Sequence, residues 1–115
     1  MTTQHTSVRT LLLTGKQVKK LLDMKDVLGA VENAFRHKGL GKVQMPPKVY
    51  LFYTKFNGDL RTMPSYVEDM DVSAVKIVNV HPDNPKNFGM RTVMAVLVLV
   101  TRTLAPPWRS WTPPT

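Results

Sequence analysis

No cysteine occurs among the 115 residues, which excludes disulfides, thiolate metal sites and a cysteine nucleophile and fits a reducing compartment. Acidic residues are scarce. Eight Asp and Glu stand against sixteen Lys and Arg, a formal net charge of +8 that raises the question of an anionic partner. The cations are scattered, however, and the one tight cluster, Lys16, Lys19 and Lys20, has no aromatic interleaved with it as a single-strand binder needs. Nucleic acid is therefore not the expected partner, and the basic surface reads as solvated. Long apolar runs are missing as well: the longest, Val93 to Val100, has eight residues, against roughly 20 for a membrane-crossing helix. The N-terminal stretch MTTQHTSVRTLLL is too weakly apolar for a signal peptide, so the expectation is a cytoplasmic protein with no membrane partner. His5, His37 and His81 lack metal-ligand spacing, and P-loop, Ser/His/Asp and G-x-G-x-x-G patterns are absent. No metal site is expected.

What remains is a 13.0 kDa chain, 43% hydrophobic and 21% charged, in the range of one globular module with a small core. Residues 1–9 are expected to be disordered. Residues 10–13 read as a short strand, and Thr14 as the N-cap of a brief helix with Val18, Leu21 and Leu22 inward. Asp23 reads as a second N-cap, opening a helix whose stripe Val27, Val31, Ala34 and Phe35 packs on one side and which Gly39 and Gly41 stop. Pro46 and Pro47 forbid helix. Residues 48–54 alternate as a strand, Asn57-Gly58 is a two-residue hairpin turn, and 59–63 returns. Beyond an acidic loop (Glu68, Asp69, Asp71), residues 72–80 and 92–100 are apolar enough to be two interior strands, joined by a polar loop over 81–90. The fold class is α+β, with two N-terminal helices and a mixed or antiparallel sheet. No internal repeat is present.

Several residues could carry chemistry. Lys76 puts an ammonium in the middle of VSAVKIVNV, on the face of Val72, Ala74, Val78 and Val80 by period two. It either snorkels to the sheet end or sits in a pocket where it meets a carboxylate, a phosphate or a carbonyl compound. Arg61 shares its face with Asp59 and Met63, which suggests a surface pair or, less often, a fork for a substrate carboxylate. Lys48 carries the same ambiguity. His81 precedes Pro82 at a strand end, where a hydrogen-bonded structural role is the common one.

Four segments in order, QMPPKVYL (44–51), GDLRTMP (58–64), KIVNVHPDNPKN (76–87) and RTVMAVLVL (91–99), resemble the ornithine cyclodeaminase/μ-crystallin family, and within it the archaeal type of alanine dehydrogenase. AVENAFRHKGLGK (30–42) also fits, so the resemblance covers about residues 10–100. It implies that the chain corresponds to part of the family's substrate-binding and dimerisation domain, without the Rossmann domain that binds NAD. It also implies an oxidative deamination through an imine. Lys76 would be the active-site lysine that contacts substrate and polarises the imine or an attacking water. Arg61 would be the two-pronged carboxylate binder, Lys48 a further carboxylate contact, and Thr92 a hydroxyl facing substrate or nicotinamide. The implied partners are a small amino- or keto-acid substrate and a second copy of the chain. Arg61 tilts the resemblance toward the alanine dehydrogenase branch, since cyclodeaminases tend to carry an acidic residue there. A stand-alone module binding a small anionic metabolite is the alternative.

Residues 101–115, TRTLAPPWRSWTPPT, hold four of the nine prolines and both tryptophans. The family segment expected here runs N-P-D-T-G-A-P-L-A-V-M-D-A-T-Y-L. With GC-rich codons chosen to fit and its first base deleted, that segment translates to all fifteen tail residues in order. The expectation is an out-of-frame tail with no selected function, on a truncated family member inactive by itself, with its apolar strands short of cover. NAD is expected for the full-length family and not for this fragment.

Overall fold

The computed structural model describes residues 10–100; the expectations for residues 1–9 and 101–115 lie outside the described residues. Two helices come first. Helix α1 (Gly15–Leu21) starts at the expected cap: the Thr14 side chain accepts from the Gln17 amide, and the Gln17 side chain accepts from the Thr14 amide at 2.8 Å. This reciprocal box satisfies two N–H groups that a helix start leaves orphaned. Helix α2 (Met24–Gly39) is capped by Asp23 and followed by Gly41 at φ +74, the left-handed conformation that glycine adopts without a Cβ penalty. Residues 10–13, expected as a strand, form no regular element. No described strand pairs with them, and an isolated strand leaves its backbone groups unsatisfied.

Five strands then form one sheet, antiparallel at every pairing. They are β1 (Val43–Gln44), β2 (Val49–Tyr53), β3 (Gly58–Val67), β4 (Val72–Val80) and β5 (Val93–Val100). The order is β1-β3-β4-β5, with β2 sharing the β1 side of β3. Pro46 and Pro47 explain the split, since neither has an N–H with which to carry the ladder from β1 into β2. Opposite that gap, residues 63–65 of β3 pair only with β4, which is where Pro64 is tolerated.

The β2–β3 connection is longer than the expected two-residue turn. Thr54–Phe56 form a 3₁₀ turn and Asn57, at φ 48, reverses the chain, so that Tyr53 pairs with Gly58. The β3–β4 connection repeats the device, with Asp71 at φ 54 as the last loop residue before Val72. Both positions suit Asn and Asp, which tolerate the left-handed region. The return strand β3 runs to Val67, beyond the expected 59–63. Within the polar loop a short helix α3 (Asn84–Phe88), with Pro85 in its first turn and Gly89 at φ 64 after it, was not expected.

Burial departs most from the sequence reading. Among the described residues only Val78, at 7% exposure in the central strand β4, is a buried hydrophobic. Leu21 at the end of α1, its C-cap Leu22 and the α2 residue Phe35, expected inward, are exposed, Phe35 at 72%. Helix amphipathicity is realised as a pattern and not as packing, because no described layer lies over the stripe. Strand β5, expected as interior, is an edge of the described sheet. Lys76 is exposed as well, so no cost of burying its ammonium is incurred. Among the described residues no helix is long and apolar enough to cross a membrane.

Candidate functional site

Strand register decides which chemistry-bearing side chains meet. Arg61 of β3 is opposed by Tyr50 of β2 on one side and Val78 of β4 on the other, while Met63 is opposed by Lys76. Directly opposed residues share a sheet face and alternate residues along a strand return to it. Tyr50, Phe52, Asp59, Arg61, Met63, Lys76 and Val78 therefore lie on one face. Lys48, one residue before β2, falls on the same face by continued alternation, across from Met63. Diagonal neighbours such as Arg61 and Lys76 stand about 7–8 Å apart at the backbone. Three cations and one carboxylate thus share a small patch.

Arg61 is held from two directions. Its Nε donates to Asp59 Oδ1 at 2.7 Å and its Nη2 to Asp59 Oδ2 at 3.2 Å, a two-pronged pair between residues two apart on β3. Its guanidinium also lies over the Tyr50 ring, 5.1 Å from the centroid. Tyr50 in turn stacks on Phe52 at 5.7 Å and 9°. The hydrogen bond from Arg61 holds the Asp59 carboxyl below its ordinary value; partial desolvation opposes this, and the charges of Arg61 and His81 reinforce it. The same bond raises Arg61, so the pair is ionised at neutral pH. Nη1 makes no hydrogen bond among the described residues. Lys48 and Lys76 likewise form no ion pair or hydrogen bond among them. By contrast, Lys42 pairs with Asp69 at 3.0 Å, tying the β3–β4 loop to the segment after α2.

The other expected residue, Thr92, stands apart. It precedes β5 by one residue, out of step with Val93, and its carbonyl accepts from the His81 amide at 2.8 Å. His81 itself stacks on Tyr53 at 5.9 Å and 3°, and its Nε2 lies 3.0 Å from Asn79 Oδ1. Since that oxygen accepts, Nε2 carries the proton in this arrangement. Asn79 opposes Leu60, out of phase with Lys76 and Val78, so this cluster belongs to the opposite face. Gly58 lies against the ring: a Cβ there would stand 2.7 Å from His81 Cε1. His81 is thus a hydrogen-bonded, stacked residue at the strand end. Two partners of Arg61 were undervalued in the sequence, Asp59 and Tyr50. Period two flagged Asp59 as a face-mate; Tyr50 needed the hairpin register. Among the described residues no group of three or more His, Asp or Glu could hold a metal ion.

Chemically, an arginine with one free N–H edge, flanked on its face by two unpaired ammoniums, is suited to a carboxylate. Comparison with known proteins bears out the family resemblance. A model of the ornithine cyclodeaminase/mu-crystallin family matches residues 8–106, slightly wider than the 10–100 of the motif resemblance. The chain is 49% identical over 92 residues to alanine dehydrogenase of Archaeoglobus fulgidus, covering 80% of this chain and 27% of that one. An archaeal alanine dehydrogenase dimer with bound NAD superposes with a TM-score of 0.73 at 48% identity, over 81% of this chain and 28% of its own. The Δ1-pyrroline-2-carboxylate reductase of Thermococcus litoralis, in complex with NADH and L-proline, superposes with a TM-score of 0.79 at 36% identity. That match covers 84% of this chain and 30% of the other. The chain therefore spans under a third of the length of these relatives.

Proposed function

The chain belongs to the ornithine cyclodeaminase/mu-crystallin family, and on that premise we propose that its β2–β4 face binds the α-carboxylate of a small amino, imino or keto acid handled by an NAD-linked dehydrogenase. The observation that carries this reading is the free Nη1 edge of Arg61 on the same face as Lys48 and Lys76. The names of the two solved relatives add support. Alanine and proline share a carboxylate on a nitrogen-bearing carbon.

In this proposal Arg61 grips the carboxylate with two parallel N–H bonds, and Lys48 contributes a second positive charge. Lys76, one register step away, faces the α-position, where its ammonium polarises an imine or an attacking water. Thr92 lies out of step with this face, so it would act through a contact from outside β2–β4. Among the described residues no dinucleotide cradle is present. Pyrophosphate cradles use a glycine-rich turn opening a helix, whereas Gly39-Leu40-Gly41 closes α2, at the end of the helix dipole that repels phosphate. No hydride step is assigned to this chain, and by itself it is proposed to form no NADH. We also propose that residues 101–115 are an out-of-frame tail.

Calorimetric titration of the full chain with pyruvate and with L-alanine, alongside an NADH absorbance assay, tests the reading. Saturable binding that Arg61→Ala removes, with no NADH formed, is the expected result. Binding that survives Arg61→Ala would refute it.

A further inference from the structure

Arginine presents two separate hydrogen-bonding edges, Nε with one Nη and Nη1 with Nη2, and on a flexible stem either could meet a ligand. In this chain the choice is already made. Asp59 occupies the Nε/Nη2 edge at 2.7 and 3.2 Å, and the Tyr50 ring covers one face of the guanidinium at 5.1 Å. Both partners are fixed by the sheet: Asp59 opposes Phe52 and Val80, and Tyr50 opposes Arg61 itself. The Asp59 side chain is also sheltered, at 16% exposure against 32% for Arg61, so water competes poorly for it.

We propose that Asp59 and Tyr50 are positioning residues, a two-sided clamp that turns the Nη1/Nη2 edge of Arg61 toward the ligand carboxylate. The proposal rests on the carboxylate-binding reading above. The clamp assigns Asp59 a role other than neutralising Arg61: a carboxylate beside the binding cation lowers the local positive potential, yet it strengthens binding by removing rotamers in which the wrong edge faces the ligand. Tyr50 acts through its ring, which lies under the guanidinium at 5.1 Å.

The test uses the full 115-residue chain, pyruvate as probe, and the side-chain Nε–Hε resonance of Arg61. Asp59→Asn is expected to weaken pyruvate binding by about tenfold although it raises the net positive charge of the patch. Tyr50→Leu, which removes the ring from the guanidinium face, should bind several-fold more weakly. The Hε proton should be protected from exchange in the parent and lost to exchange in Asp59→Asn, with the backbone amide spectrum otherwise retained. Should Asp59→Asn fail to fold, the parent chain still decides: an Hε exchanging as fast as that of free arginine overturns the clamp. Unchanged or tighter binding by Asp59→Asn, where Arg61→Ala abolishes it, overturns the clamp and leaves the carboxylate reading intact. Binding unaffected by Arg61→Ala, or absent from the parent chain, overturns both.

Discussion

Arg61 and Lys76 occupy the same face of adjacent antiparallel strands, one register step apart, because Arg61 opposes Val78 while Lys76 opposes Met63. Their separation is fixed by backbone pairing and not by any contact between the side chains. Each can therefore be removed with little effect on the other's placement. Removing the N–H donors that meet the carboxylate, Arg61→Ala should weaken carboxylate binding by roughly 10- to 150-fold. The exposed Lys76, replaced by Met, should cost less, and the loss should shrink in high salt, where exposed charges are screened. Titrations at two ionic strengths check both.

Acid should uncouple the Asp59–Arg61 pair. The Asp59 carboxyl lies below its ordinary 3.8 in the fold, chiefly through the hydrogen bond from Arg61. A depressed carboxylate contributes stability that is fully present above the unfolded value and is lost as pH falls through the folded one. Urea denaturation of the parent and Asp59→Asn chains should thus differ by a constant amount from neutrality down to about pH 5, and the difference should shrink progressively as pH falls through and below 3.8.

Gly58 and Gly29 should respond oppositely to alanine. At Gly58 a Cβ would meet the His81 ring and stand 3.0 Å from the Val80 carbonyl oxygen, so Gly58→Ala should destabilise by about 1–3 kcal/mol and break the Tyr53–His81 stack. Gly29, in the middle of α2 with nothing within 4 Å, gains helix propensity, and Gly29→Ala should stabilise by about 0.5–1 kcal/mol. Thermal melts of the two variants are sufficient.

Apolar surface on both faces of β5, with Leu99 at 74% and Val96 at 62% exposure, predicts strong binding of a hydrophobic dye and concentration-dependent self-association. Leu99→Lys and Val96→Lys should each reduce both signals. Sedimentation of a monomeric chain at high concentration would count against this picture.

An out-of-frame tail predicts that the nucleotide sequence across codons 101–115, read one frame over, encodes N-P-x-T-G-x-P, followed downstream by a glycine-rich G-x-G-x-x-G segment. Sequencing the gene through this region decides it.

Local signals were legible in the sequence because their causes are local. Thr14 and Asp23 act as caps through hydrogen bonds within three residues, and Asn57 reverses the chain through its own backbone preference. Period two placed Lys76, Val78, Arg61 and Asp59 on their faces once the strands were recognised. What failed depended on contacts no local pattern encodes. Helix α3 has five residues, too few for a periodic stripe, and β3 continues through Pro64 only because the Pro46-Pro47 break leaves that side unpaired. The exposure of Phe35 and Lys76 depends on what lies over them, which residue order along one helix or strand does not state. The hold of Tyr50 on Arg61 required the β2–β3 register, and the expected two-residue turn would have given a different one.

The most direct test of the carboxylate-binding face is a pyruvate titration of the isotopically labelled full chain, following the Nε of Arg61 and the Nζ of Lys48, Lys76 and Lys42 by nuclear magnetic resonance. The account predicts that Arg61, Lys48 and Lys76 shift along one saturation curve with a common Kd, while Lys42, engaged by Asp69 at 3.0 Å, does not respond. Shifts spread evenly over Lys42 and the α1 lysines, without saturation, would show only an anion attracted to a basic chain and would contradict it.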